Sequence, residues 1–120
     1  MPSMAEFNCL VTNIFYEARG ESFKGKVAVG LVTLNRLKYM EYPDTICGVV
    51  FQKKQFSWTS VKQNRVKINE QVWLDCIDAA YKAILFRGSF TATHYHNTSV
   101  RPKWGFKKLG QIGNHIFYRQ

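Results

Sequence analysis

The segment from Lys26 to Met40 is apolar nearly all round. Val27, Ala28, Val29, Leu31, Val32, Leu34 and Leu37 leave no polar face wide enough to meet water. Such an element must be wrapped by others on every side. A chain of 120 residues can bury one modest core. The segment therefore predicts the centre of a single domain spanning 1–120. Its β-branched residues also permit a strand, but a length of roughly 15 residues favours a helix.

The flanking segments supply the wrapping. Ser3 followed by Glu6 has capping-box spacing. Phe7, Leu10, Val11, Ile14 and Phe15 then recur at helical spacing up to Gly20. Residues 3–19 read as an amphipathic helix with Glu17 in its last turn. Tyr42-Pro43-Asp44 ends the central element, and Asp44 can cap a short helix through Phe51. Residues 52–68 are polar and basic and read as a loop, of a length that often serves function. Asn69 can cap a helix carrying Trp73, Cys76, Ile77, Ala80 and Ile84 and ending at Gly88. Thr91–Asn97 and His115–Tyr118 read as short strands, separated by an irregular basic stretch with Pro102, Trp104 and three glycines. The fold class is α+β: mostly helical, with a small antiparallel sheet.

No apolar run approaches the roughly 18 residues of a membrane helix, which argues against stable membrane insertion. Met1-Pro2-Ser3-Met4-Ala5-Glu6 has no basic region ahead of an apolar stretch, so the chain reads as made in the cytoplasm without a signal peptide. Lys and Arg number 17 against 8 Asp and Glu, a formal charge of +9. That balance favours an anionic partner: nucleic acid, an anionic membrane or wall polymer. Cys9, Cys47 and Cys76 are odd in number and lack CxxC spacing. Cys9 and Cys76 fall on apolar helix faces, and the three read as buried free thiols.

Proton-transfer chemistry needs an acid in a sheltered place. Glu6 reads as a cap partner, Asp44 as a turn or cap residue, and Glu41, Glu70, Asp75 and Asp78 as surface groups. Glu17 and Glu21 flank Gly20 at a helix end. There the negative end of the helix dipole and partial burial both raise a carboxyl pKa. The plainer reading is that both are solvated, with Arg19 nearby. His94 and His96 share one face of a strand; a metal would need a third ligand, and a non-metal role is the simpler reading. Phe56 and Trp58 follow Lys53 and Lys54, and Trp104 and Phe106 lie among Arg101, Lys103, Lys107 and Lys108. Aromatics set among cations suit stacked bases and equally suit the apolar faces of sugars.

The motif string narrows this. Tyr16-Glu17-Ala18-Arg19-Gly20-Glu21-Ser22, Gly25-Lys26-Val27-Ala28-Val29, Leu34-Asn35-Arg36, the run from Tyr42 to Val50, Gln55-Phe56-Ser57 and the ending Ile112-Gly113-Asn114-His115-Ile116-Phe117-Tyr118 resemble, in order and spacing, the SleB/CwlJ family of cell-wall hydrolases. The resemblance runs over nearly the whole chain. It implies a lysozyme-like domain and cleavage of peptidoglycan between N-acetylmuramic acid and N-acetylglucosamine. The expected route is that of a lytic transglycosylase, with no metal or cofactor. Muramidase-type hydrolysis and amidase cleavage of the stem peptide are the enzymatic alternatives. A basic nucleic-acid-binding or wall-binding module is the non-enzymatic one.

The resemblance places the acid on Glu17, with Glu21 as second choice. Gln55, Ser57 and Asn97 are expected to hydrogen-bond acetamido groups, and Tyr95 and Trp104 to stack on sugar rings. Asn35 and Arg36 are expected to hold the first two helices together. The implied partner is peptidoglycan rather than nucleic acid, met by a monomer. Two settings fit: a phage enzyme released by a holin, or an enzyme of the spore cortex.

Overall fold

The computed structural model describes residues 1–52, 55–60 and 68–120. Four helices are present among them: α1 Met4–Ala18, α2 Phe23–Arg36, α3 Ile46–Val50 and α4 Glu70–Leu85. A 3-10 turn, Ser57–Ser60, lies between α3 and α4. The remainder of the stretch expected as a loop, 53–54 and 61–67, lies outside the described residues. Three strands follow, β1 His94–Asn97, β2 Lys107–Ile112 and β3 His115–Arg119, in an antiparallel sheet ordered β1-β3-β2. None of the described helices is long and apolar enough to cross a membrane.

α1 begins where Ser3 Oγ accepts the Glu6 N–H at 3.2 Å. Glu6 does not close the capping box. Its carboxylate reaches across to α3, accepting the N–H groups of Ile46 at 2.6 Å and Cys47 at 3.2 Å. Orphan donors of one helix start are thus satisfied by an acid from another. The cap of α3 is Thr45, not Asp44: its Oγ1 accepts the Gly48 N–H at 3.0 Å.

α2 starts earlier and ends earlier than its apolar pattern suggests. Ser22 caps it through the Gly25 N–H. Past Arg36 the N–H groups of Leu37, Lys38 and Tyr39 bond three residues back rather than four, and Met40 is fully exposed. The helix tightens and stops once its apolar residues are spent. Within it, Val29, Val32 and Leu34 are buried against Leu10, Ile14 and Phe15 of α1 and Ala79, Ala80 and Ala83 of α4. Full burial of such side chains is worth about 1.5–3 kcal/mol each. Gly30 permits the approach: a Cβ there would sit 3.0 Å from Ile14 Cδ1 and 3.1 Å from the Ala83 methyl. Asn69 caps α4 as expected, accepting the Val72 N–H. The helix closes at Leu85, three residues ahead of the positive-φ Gly88.

Three further expectations are corrected. Cys9 and Cys47 are not free thiols but form a disulfide between α1 and α3, Cα atoms 5.3 Å apart; Cys76 alone is free and buried. The partners stand 38 residues apart, a spacing that carries no local signal. Asn35 and Arg36 do not join the first two helices. Asn35 Nδ2 donates to the carbonyls of Phe90 at 2.6 Å and Ala92 at 2.8 Å, and Arg36 Nε donates to that of Thr93 at 2.8 Å. They pin the lead-in to β1 onto the end of α2, whereas Asn13 and Thr33 bridge α1 and α2. Finally, the stretch expected as irregular contains β2. A bulge between Lys108 and Gly110 shifts its register against β3, so its side chains do not alternate with a clean period of two.

Candidate active site

The two faces of the sheet differ. Tyr95 pairs with Phe117, and His94 with Tyr118. Side chains alternate along a strand, so Tyr95, Phe117 and His115 share the inner face and His94, His96 and Tyr118 the outer one. The anchoring of residues 90–93 to α2 brings the inner face over the end of α1. There the Tyr95 hydroxyl donates a hydrogen bond to Glu17 Oε1. The Tyr95 ring packs on His115 at 4.8 Å and on Phe117 at 5.5 Å.

Glu17 is half-buried in the last turn of α1. Burial raises its pKa above the ordinary carboxylate value; the Tyr95 hydrogen bond and the positive charge of Arg36 pull it back. Arg36 is itself buried, with its guanidinium carbon 5.2 Å from the Tyr42 ring centre and 5.3 Å from that of Phe56. Burial lowers its pKa, and Tyr42, Tyr95 and Glu17 oppose that fall. Burial also drives the Tyr95 hydroxyl well above its ordinary value, and Glu17 adds to the rise. It remains a neutral donor to the carboxyl at physiological pH.

Glu21 has another place. Its Oε1 accepts the Asn114 N–H at 2.8 Å and its Oε2 the Asn114 side-chain amide at 3.2 Å. It ties the start of the second helix to the two-residue turn between β2 and β3. Gly113 in that turn has φ +58°, and any Cβ there would run into Glu21 Oε1. Glycine is thus required twice, for the left-handed backbone and for the contact.

The other singled-out residues separate into groups. Gln55 joins the Glu17 neighbourhood: its Oε1 accepts from Arg36 Nη1 at 3.2 Å. Ser57, itself exposed, opens the 3-10 turn. Asn97 follows Tyr95 on the inner face, opposite His115, and its Oδ1 accepts the Ser99 N–H. Trp104 lies on the other face, against His94, His96 and Tyr118. His94 and His96 do share a face, but all four of their ring nitrogens are hydrogen-bonded within the chain: to Thr93 and Tyr42, and to the Asn97 carbonyl and Tyr118. Burial drives His94 down to about 4, so it is neutral at physiological pH.

Arg36 and Tyr42 were not among the expected site residues. The signal for Arg36 is a cation inside an otherwise apolar helix, where burial demands partners. Tyr42 has no such mark; only the fold brings its ring over the guanidinium.

The cell wall hydrolase family matches residues 20–118. The chain belongs to that family. Glu17 stands just ahead of the matched stretch, but wider comparisons include its region. A spore cortex-lytic enzyme of Oceanobacillus iheyensis is 34% identical over 123 aligned residues, covering 96% of this chain and 42% of its own length. One from Bacillus subtilis is 32% identical, covering 93% and 37%. The chain thus spans about two fifths of the length of these relatives. The catalytic domain of the germination-specific lytic transglycosylase SleB from Bacillus anthracis superposes with a TM-score of 0.82 at 29% identity, covering 98% of this chain and 97% of that one. The catalytic domain of Bacillus cereus SleB gives 0.83 at 28%, covering 99% and 93%. The four-helix, three-strand α+β fold is that of the SleB catalytic domain.

Proposed function

We propose that this chain cleaves the glycan strand of peptidoglycan between N-acetylmuramic acid and N-acetylglucosamine, as a lytic transglycosylase with Glu17 as its one acid and base. The observation that carries the reading is the solitary state of Glu17. All eight acids of the sequence fall among the described residues. Glu6 holds α3, Glu21 holds Asn114, Glu41 meets Gln120 and Asp75 meets Gln71. Asp44, Glu70 and Asp78 are exposed. Glu17 is half-buried, its pKa is raised by that burial, and the neutral Tyr95 hydroxyl holds it.

A two-carboxylate glycosidase needs a second acid about 5–9.5 Å away, as nucleophile or base. A transglycosylase takes its nucleophile from the substrate. Tyr95 occupies Oε1 of Glu17, which leaves Oε2 to carry the proton. That proton passes to the leaving glycosidic oxygen as the bond to C1 breaks. The resulting carboxylate, with Arg36 nearby, then takes the proton of the C6 hydroxyl as its oxygen closes on C1. The product is a 1,6-anhydro ring, no water is consumed, and Glu17 ends as it began. Gln55 borders this place and is assigned to the substrate's acetamido groups, with Ser57 and Asn97 at its margins. The relatives' names support spore cortex as the form of wall attacked.

The test is product mass spectrometry on purified cortex and vegetative sacculi, with wild type and Glu17→Gln. Muramic ends lighter by one water are expected. Replacement of Glu17 should cost about 10²–10⁴ in rate. Plain reducing ends would make the reaction a hydrolysis, freed stem peptides would make it an amidase, and clearing by Glu17→Gln at the wild-type rate would remove Glu17 from the role.

A further inference from the structure

The cations are not spread evenly. Every acid lies in residues 6–44 or 70–78, and residues 79–120 contain none. Arg101, Lys103, Lys107, Lys108 and Arg119 all lie in or beside the sheet, and all five are exposed. Lys107 stands directly opposite Arg119 in the β2–β3 ladder, with Lys108 opposite Tyr118 beside it. Like charges directly opposite in a ladder are destabilising. The stability of the sheet therefore gives no reason for this placement, and an anionic ligand does.

The same region carries a rigid aromatic surface. Trp104 meets His94 at 5.4 Å, His96 at 5.5 Å and Tyr118 at 5.3 Å, and Phe106 stacks on His94 at 4.3 Å. The His rings are fixed by their own hydrogen bonds, yet Trp104 is 37% exposed. This aromatic face, which Lys108 shares as the partner of Tyr118, lies on the opposite side of the sheet from Tyr95 and Glu17, while Lys107 and Arg119 alternate to the other side at the basic end of the ladder. The amino-sugar rings proposed for the Glu17 site carry no charge of their own for these cations to meet.

We propose that the outer face and basic end of the sheet form a second binding site, for a phosphate-bearing polyanion of the cell wall. Arginine forks and lysine ammonium groups take the phosphates, and Trp104 lies against the carbon backbone between them. The site retains the chain on the wall while cleavage proceeds elsewhere on the molecule. The wall as source of the polyanion rests on the family and on the proposed activity; the site itself does not depend on Glu17.

The test is cosedimentation at low temperature with purified walls, before and after hydrofluoric acid strips their phosphodiester-linked polymers. Binding should weaken about tenfold or more on stripping, and comparably between about 50 and 200 mM salt. A Lys103→Gln/Lys107→Gln/Lys108→Gln/Arg119→Gln variant should bind both walls equally poorly, with unchanged turnover of a soluble neutral glycan. Inorganic polyphosphate should raise the melting temperature of the wild type and not that of the variant, which also reports that the variant is folded. Equal wild-type binding to both walls, or a folded variant that binds like the wild type, overturns the proposal. So does variant-sensitive binding to duplex DNA tighter than to intact wall. Binding is read without turnover, so a failure of Glu17 as the acid leaves this result standing.

Discussion

Replacing Cys9 and Cys47 together by Ala removes the covalent tie between α1 and α3. The bond closes a loop of 38 residues. Loop-closure entropy for that length is about 13 cal/mol/K, or about 4 kcal/mol at room temperature, and native strain or residual denatured structure brings such values down toward 2. At about 2.1 cal/mol/K per residue the chain's unfolding entropy is about 250 cal/mol/K. The double variant should therefore melt about 8–15 °C below the oxidised wild type. The Glu6 carboxylate would still cap α3, so the loss is one of stability and not of topology. Thiol titration supplies the independent measurement. The oxidised native protein should show no reactive thiol, because Cys76 is buried with its pKa pushed up to about 11; denaturation should release one, and prior reduction three. Three thiols released from protein prepared under oxidising conditions, or a melting point within about 3 °C of wild type, would refute the reasoning.

Tyr95→Phe deletes the hydrogen bond that holds the Glu17 pKa down. That pKa should rise further, so the alkaline limb of the pH–activity profile should move upward while the maximal rate falls about tenfold; a limb that stays or moves down contradicts the coupling. Glu17→Gln should raise the melting temperature at neutral pH while removing activity. A carboxyl with a raised folded pKa contributes stability below its ordinary value and loses it as pH rises through the folded value. The gap between variant and wild type should open across that window and stay flat above it, and parallel melting curves at all pH values would count against burial as the cause. Asn35→Leu strands the carbonyls of Phe90 and Ala92, at about 1–3 kcal/mol each. Its urea midpoint should drop accordingly, and activity should fall too because the β1 lead-in is no longer pinned.

What the amino-acid pattern disclosed and what it hid divide by range. Each long helix was marked by local physics: the Ser3 and Asn69 caps, the periodic apolar residues, and the positive-φ Gly88 just past a helix end. β3 was readable because His115 to Tyr118 is bounded by a Gly-Asn turn. β2 was not, because its bulge breaks the alternation on which strand reading depends. The disulfide and the reach of Glu6 to α3 were equally hidden. Both join positions about 40 residues apart, and neither leaves a trace in the neighbouring residues.

The candidate site is hidden in the same way, and that limits what motif reading can say of it. Glu17 and Glu21 lie four residues apart beside one glycine, and helix position treats them alike. Tertiary partners separate them. Asn35 and Arg36 fasten residues 90–93, which sets Tyr95 above Glu17. The turn at Gly113-Asn114 closes on Glu21 and occupies both of its oxygens. One carboxyl is thereby kept half-buried and biased toward its proton, and the other is committed to holding the sheet in place. The two carboxyls thus answer to different partners, Glu17 to Tyr95 and Glu21 to the β2–β3 turn. Exchanging the two roles would require moving the β2–β3 turn away from the start of α2, and Gly113, with no side chain to clear, is what keeps it there.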